Sequence, residues 1–239
     1  LAFVYRIHDT PNPDKLEELG TFLRAIGYEF EVHKGTVKAT AINKLLKEIV
    51  GKPEENLIKT ATIRSMAKAI YSTKNIGHFG LAFKFYTHFT SPIRRYPDLM
   101  VHRLLRRHLD NSVIGPKELA KYEQMSIKSS QREIEAVSAE RDSIKFKQVE
   151  FLMNRIGETF SGVITGVTDW GIYVQESTTL ADGMVRLATI KSDFFEHEAS
   201  KYRIKGQKTG KTYQLGDAVT VKLISADKDA RQIDFELIT

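Results

Sequence analysis

The chain has 239 residues, 41% hydrophobic and 28% charged, which fits a soluble globular protein of one large or two ordinary domains. It contains no cysteine, which excludes disulfides, a thiolate metal site and a Cys nucleophile; a reducing, cytoplasmic setting is the expectation. No apolar run approaches the ~20 residues that span a bilayer, so no membrane association is expected.

The first residues, "LAFVYRIHDTPNPD", lack the basic and apolar regions of a signal peptide, and residue 1 is not Met, so a natural start upstream is expected. The net charge of +6 is uneven. Residues 157–239 hold 10 Lys and Arg against 12 Asp and Glu, a net of −2, whereas residues 1–156 hold 26 against 18, a net of +8. Excess positive charge in one part points to an anionic partner there, most often nucleic acid.

In chain order, "FVYRIHD" alternates like a short strand. Asn12 caps and Pro13 opens a helix whose apolar stripe is Leu16, Leu19, Leu23 and Ile26, with Gly27 as its stop. Residues 40–71 read as two helices broken at Gly51-Lys52-Pro53, the second running from about Glu54 to Ala69. The aromatic, glycine-containing stretch 71–90 reads as strand or extended chain. Pro97 to about Leu109 is a helix with Leu99, Met100, Leu104 and Leu105 near one face. Residues 116–154 are helical almost throughout, as one helix or two, with Ile134, Val137, Ile144 and Val149 at helical intervals.

After Gly157 the pattern changes to short strands. "TFSGVITGVTD", "WGIYVQ", "ADGMVRL", "AVTVKLISADKD" and "RQIDFELI" are five candidates, with a helical or looped insert near 188–200. Five strands in about 80 residues predict a small closed barrel such as the OB-fold. The fold class is therefore α+β, a largely helical first domain (residues 1–156) and an all-β five-stranded barrel (residues 157–239).

"GVITGVTDWGIYVQ", "ADGMVRL" and "LGDAVTVKLISADKDARQIDFEL" resemble the S1 RNA-binding domain over nearly all of 157–239. The resemblance implies that Trp170 and Tyr173 lie on an RNA-binding face, where bases stack at about 1–3 kcal/mol each. Arg186 stands where the family often has His and would contact phosphate or stack. From the residues alone, Trp170 is either an exposed stacking platform or part of the barrel core.

"HFTSPIRRYPDLMVHRLL" (88–105) sets two arginines between two prolines, ahead of a helix carrying Arg103, Arg106 and Arg107. Ser91-Pro92 biases the backbone toward a turn, and Pro97 suits a helix start. Arg94 and Arg95 therefore stand on constrained backbone with planar donor forks suited to phosphate. The same words, preceded by "GHFGLAF", resemble the RNB catalytic domain of the ribonuclease II/ribonuclease R superfamily, nearer the ribonuclease R form. "SAERD" (138–142) resembles a further segment of that family, and an S1 domain following RNB is the family's order.

The resemblance implies a processive, metal-dependent 3′→5′ exoribonuclease that hydrolyses single-stranded RNA to nucleoside 5′-monophosphates. It assigns Arg94 to the phosphate of the scissile region, Glu140 to the terminal nucleotide and Arg95 to RNA binding. His88 and His102 belong to the motif without an assigned chemistry; His102 is a packed helix residue or a ligand.

The resemblance also implies Mg²⁺ held by clustered aspartates, but residues 1–156 contain only Asp9, Asp14, Asp98, Asp110 and Asp142, no two within four residues. No metal ligand is assigned in this chain. The expectation is the C-terminal portion of an RNB domain with its S1 domain, needing the N-terminal part of the same enzyme and inactive alone. The competing reading is a non-catalytic RNA-binding protein on the same scaffold. An unrelated OB-fold translation factor leaves residues 80–105 unexplained.

Overall fold

The computed structural model describes residues 2–33, 35–52 and 54–238, without the side chains of Ala39 and Ser200. The chain forms two compact units that interleave in sequence: residues 1–16, 33–42 and 64–139 make the first, and 17–32, 43–63 and 140–239 the second. No helix among the described residues is long and apolar enough to cross a membrane.

In the first unit, β1 (Tyr5–Ile7) pairs antiparallel with β2 (Ile70–Ser72), with Arg6 opposite Tyr71. Helix α1 (Pro13–Ala25) begins where Asn12 Oδ1 accepts the Asp14 N–H at 2.8 Å. Its other end lies in the second unit and closes as anticipated. Gly27, at φ 85°, donates to Arg24 O, and Tyr28 N–H reaches back to Leu23 O at 2.9 Å, satisfying the last carbonyls.

Helix α2 (Ala39–Glu48) and helix α3 (Glu55–Ser65) are separate, as expected, with Gly51 at φ 78° between them; Pro53 lies outside the described residues. Helix α3 stops four residues short of the expected end. Residues 67–69 leave the helix and lead into β2, and the Ala67 carbonyl accepts a bond from His8 Nε2 at 2.8 Å.

Stretch 71–90 is only briefly strand. After β2 it winds through a single 3₁₀ turn at Phe79–Leu81, closed by Ala82 at φ 56° and by His78 N–H donating to Phe83 O. Helix α4 (Tyr96–Leu109) buries Pro97, Asp98, Met100, Val101 and Leu104; Leu105, expected on the inner face, is exposed and Val101 takes its place. Residues 116–153 form one continuous helix, α5 (Pro116–Met153). The first unit's core joins Val4, Tyr71, Met100, Val101, Leu104 and Tyr122. Ile134 and Val137 of α5 are exposed despite their helical spacing.

The second unit is built on β3 (Thr159–Val167), β4 (Gly171–Glu176) and β5 (Asp182–Arg186). The expected insert is not simply helix or loop. It holds short 3₁₀ turns and β6 (Phe195–Glu198), and it extends past the expected residue 200 through β7 (Arg203–Gly206) and β8 (Thr212–Gln214), which join β6 in an antiparallel three-stranded sheet. β9 (Ala218–Asp227) and β10 (Gln232–Leu237) complete a closed barrel in the order β10-β5-β4-β3-β9, of OB type. All neighbours are antiparallel except β10 and β5. All five expected barrel strands are present. Alternation explains them: Ile172 and Val174, then Ile233, Phe235 and Leu237, point inward with Val149 and Leu152 of α5 in the same core.

Candidate nucleic-acid interface

The two arginines of the proline-framed stretch stand in one turn but in different surroundings. Ser91 O accepts the amides of Arg94 at 3.2 Å and Arg95 at 3.0 Å, so the chain from 91 to 95 folds back on itself. Arg95 is the residue capping α4, with Pro97 just inside the helix. Arg94 is exposed, as is Ile93 beside it. The Arg95 side chain turns back: its Nη2 donates to Asp98 Oδ2 at 3.0 Å, and Asp98 is fully buried.

Behind this turn lies a chain of polar contacts within the first unit. Arg6 makes a two-pronged pair with Glu133 at 2.6 and 3.1 Å, and its guanidinium lies 4.5 Å from the Tyr71 ring centre. Tyr71 OH is 2.8 Å from His88 Nδ1. Burial, then the positive charges of Arg95 and Arg6, hold the His88 pKa below its ordinary 6.5. His102 is engaged in packing. Its Nε2 donates to Phe89 O at 2.8 Å, and its ring stacks on Phe89 with centres 4.3 Å apart. On the rest of α4, Arg106 pairs with Asp110 at 3.0 Å and Arg107 with Glu118, while Arg103 is exposed.

Glu140 is exposed on the part of α5 that belongs to the second unit. In that unit the barrel brings Trp170, Tyr173 and Arg186 together. The β3–β4 turn closes through Thr168 N–H and Oγ1, both donating to Gly171 O at 2.9 Å. Trp170 projects from that turn with 74% of its surface exposed, which removes the core alternative. Three residues on, in β4, Tyr173 is 40% exposed.

Gly166 lies opposite Tyr173, and a Cβ there would sit 3.2 Å from the ring, so the missing side chain gives the tyrosine a flat seat. Arg186 pairs in register with Gly171 and reaches Asp234 at 3.5 Å, which offsets part of its charge. Beside Trp170, Asp169 Oδ1 lies 2.8 Å from His197 Nδ1. The arrangement offers two ring faces and a guanidinium on one outer barrel surface, suited to bases and phosphate.

Two polar residues beside these groups stand out only in the structure, Asp98 and His197. Asp98 was counted among scattered aspartates; its place in the first turn of α4 was the available signal. His197 lies in the insert, whose strands were not foreseen.

The RNB domain family pattern matches residues 1–111, and that of the S1 RNA binding domain matches residues 154–238. Ribonuclease R of Aquifex aeolicus is 40% identical over 237 residues, covering 98% of this chain and 33% of that protein. Ribonuclease R of Escherichia coli is 34% identical over 247 residues, covering 99% and 30%. The apo form of Mycoplasma genitalium RNase R superposes with a TM-score of 0.85 at 33% identity, covering all of this chain and 38% of that one. The same relative in complex with ribose methylated single-stranded RNA gives the same TM-score. The chain spans about a third of the length of the curated relatives it matches. Carrying both domain patterns in this order, and aligning with ribonuclease R relatives from end to end, the chain belongs to the ribonuclease R family.

Proposed function

We propose that this chain is the C-terminal portion of a processive 3′→5′ exoribonuclease acting on single-stranded RNA and releasing nucleoside 5′-monophosphates. In this reading residues 1–156 complete an RNB domain and residues 157–239 are its S1 domain. The N-terminal part of the same polypeptide is its partner. Arg94 contacts the scissile phosphate, Glu140 the terminal nucleotide, and Trp170, Tyr173 and Arg186 hold the incoming strand. Arg95 belongs to the RNA-binding turn through its backbone and its hold on Asp98.

Mg²⁺ is the metal such an enzyme implies. Among the described residues no three His, Cys, Asp or Glu side chains are grouped to hold a metal ion, so these residues do not fit that site. The chain alone is therefore expected to bind RNA without degrading it.

The observation that carries the reading is Arg94, exposed on a turn closed by two backbone bonds into Ser91 O. The bonds fix the backbone from which the guanidinium reaches out, and a donor whose base is set in advance serves charge developing on phosphate oxygens. The experiment is single-turnover cleavage of end-labelled RNA by the full-length protein, with binding measured separately. Arg94→Ala should lower the saturated rate roughly 100-fold, the scale for losing one donor aimed at developing charge, with a smaller loss of affinity. Arg94→Lys should rescue poorly because it keeps the charge and loses the fork. Lost affinity with an unchanged saturated rate would reduce Arg94 to general grip.

The exposed Trp170–Tyr173 pair favours a second reading, a non-catalytic RNA-binding protein on the same scaffold, because stacking needs no cleavage. A full-length protein that binds RNA and never shortens it would establish that reading instead.

A further inference from the structure

We propose that Asp98 is a positioning residue for Arg94: its buried carboxylate closes the turn that presents the guanidinium. The inference rests on the proposed role of Arg94 and extends it to a residue that makes no contact with RNA. A single oxygen, Asp98 Oδ2, accepts the Ser91 N–H at 2.8 Å and Arg95 Nη2 at 3.0 Å. It thereby ties both ends of the 91–95 turn to the first turn of α4. The backbone adds two bonds inside the same loop, Arg94 and Arg95 N–H to Ser91 O, and a third at the start of α4, Asp98 N–H to Arg95 O at 3.1 Å. Arg94 sits between the two tied points with its side chain outside.

The geometry is not the one that would best serve stability alone. An arginine and a carboxylate left to themselves pair through two parallel bonds. Here Asp98 Oδ1 and Arg95 Nε are both buried without a hydrogen-bond partner among the described residues. The pair is held through one prong, with Oδ2 serving the turn and the arginine at once. A buried pair of this kind is weak evidence for stability, since desolvation offsets its attraction. Unmet buried groups in a native site call for an explanation, and holding the turn in one conformation supplies it. The negative charge also faces the N-terminal end of α4, which favours this placement.

The test uses the full-length protein with Arg94→Ala, Asp98→Asn and the double variant, each checked by circular dichroism and melting. Asp98→Asn should lower the saturated cleavage rate about 10- to 100-fold, the scale of an ångström-level misplacement, and change RNA affinity less than about threefold. In the Arg94→Ala background the same substitution should cost at most about twofold, because the group it positions is already gone.

Should Asp98→Asn not fold, Arg95→Lys carries the test, since it keeps the carboxylate partnered while weakening its geometry; the expected coupling to Arg94 is the same. Rate losses that multiply in full, or an unchanged rate in folded Asp98→Asn, overturn the proposal while leaving the exoribonuclease reading intact. A wild-type protein that does not shorten RNA at all overturns that reading, and with it the reaction Asp98 would serve.

Discussion

Replacing Trp170 by Ala separates the stability of the barrel from the RNA stacking proposed for it. The residue is 74% exposed, so about a quarter of its surface is covered. A buried area of about 60 Å² from a side chain of ~250 Å², at ~25 cal/mol per Å², caps the stability lost at about 1.5 kcal/mol. The adjoining turn is held by backbone and Thr168, not by the indole. The barrel should therefore stay folded. Stacking of one base is worth about 1–3 kcal/mol, so affinity for single-stranded RNA should fall roughly 5- to 150-fold.

The assay is fluorescence anisotropy with a short labelled RNA across a range of salt concentrations, beside thermal melting. Stacking releases no counterions, so the slope of log affinity against log salt should stay as in the wild type while the whole line drops. Trp170→Phe should recover part of the loss. Unchanged affinity in a folded variant refutes the stacking argument, and a reduced salt slope would show that the turn was placing a cation instead.

Two stability predictions follow from the same structure. The unfolded chain protonates His88 near 6.5, whereas burial beside Arg95 and Arg6 keeps its folded pKa lower; the unfolded state thus binds more protons as pH falls. Stability should decline as pH drops below about 6.5 until the folded pKa is passed, and His88→Gln should flatten part of that slope in melts between about pH 5 and 8; an unaltered slope would refute it. Gly183→Ala should destabilise by about 1–3 kcal/mol, because a Cβ there meets Ile233 Cγ2 at 2.9 Å and the Phe235 ring in a filled barrel. Chemical denaturation checks it, and a variant as stable as the wild type would mean that the core yields at this point.

Sequence made the barrel legible because its strands are long enough to show their period. β10 carries three inward residues, Ile233, Phe235 and Leu237, in six. The insert was hidden because β6, β7 and β8 each have three or four residues and bury only one or two. Helix α3 misled through propensity. "SMAKA" is good helix sequence, yet Ser65 is buried and the Ala67 carbonyl is taken by His8, so tertiary contacts end the helix first. On α5 the opposite holds: Ile134 and Val137 mark an apolar stripe by spacing, but spacing says nothing about whether a neighbour covers it.

The site shows the same limit in its charges. Two prolines were enough to predict that the backbone around Arg94 and Arg95 is constrained, yet adjacent arginines look alike in sequence. The turn sends one to solvent and the other to Asp98, and the decisive partner of Asp98 is a backbone amide, which no residue pattern displays. The excess of positive charge in residues 1–156 is likewise taken up partly by the protein's own carboxylates: Arg6 serves Glu133 and Arg95 serves the buried Asp98, while Arg107 serves Glu118 at the surface. The guanidinium groups free to meet an anion are those left facing outward, with Arg94 and Arg103 among them. Net charge points to the class of partner; the pairing of each guanidinium decides which residues meet it.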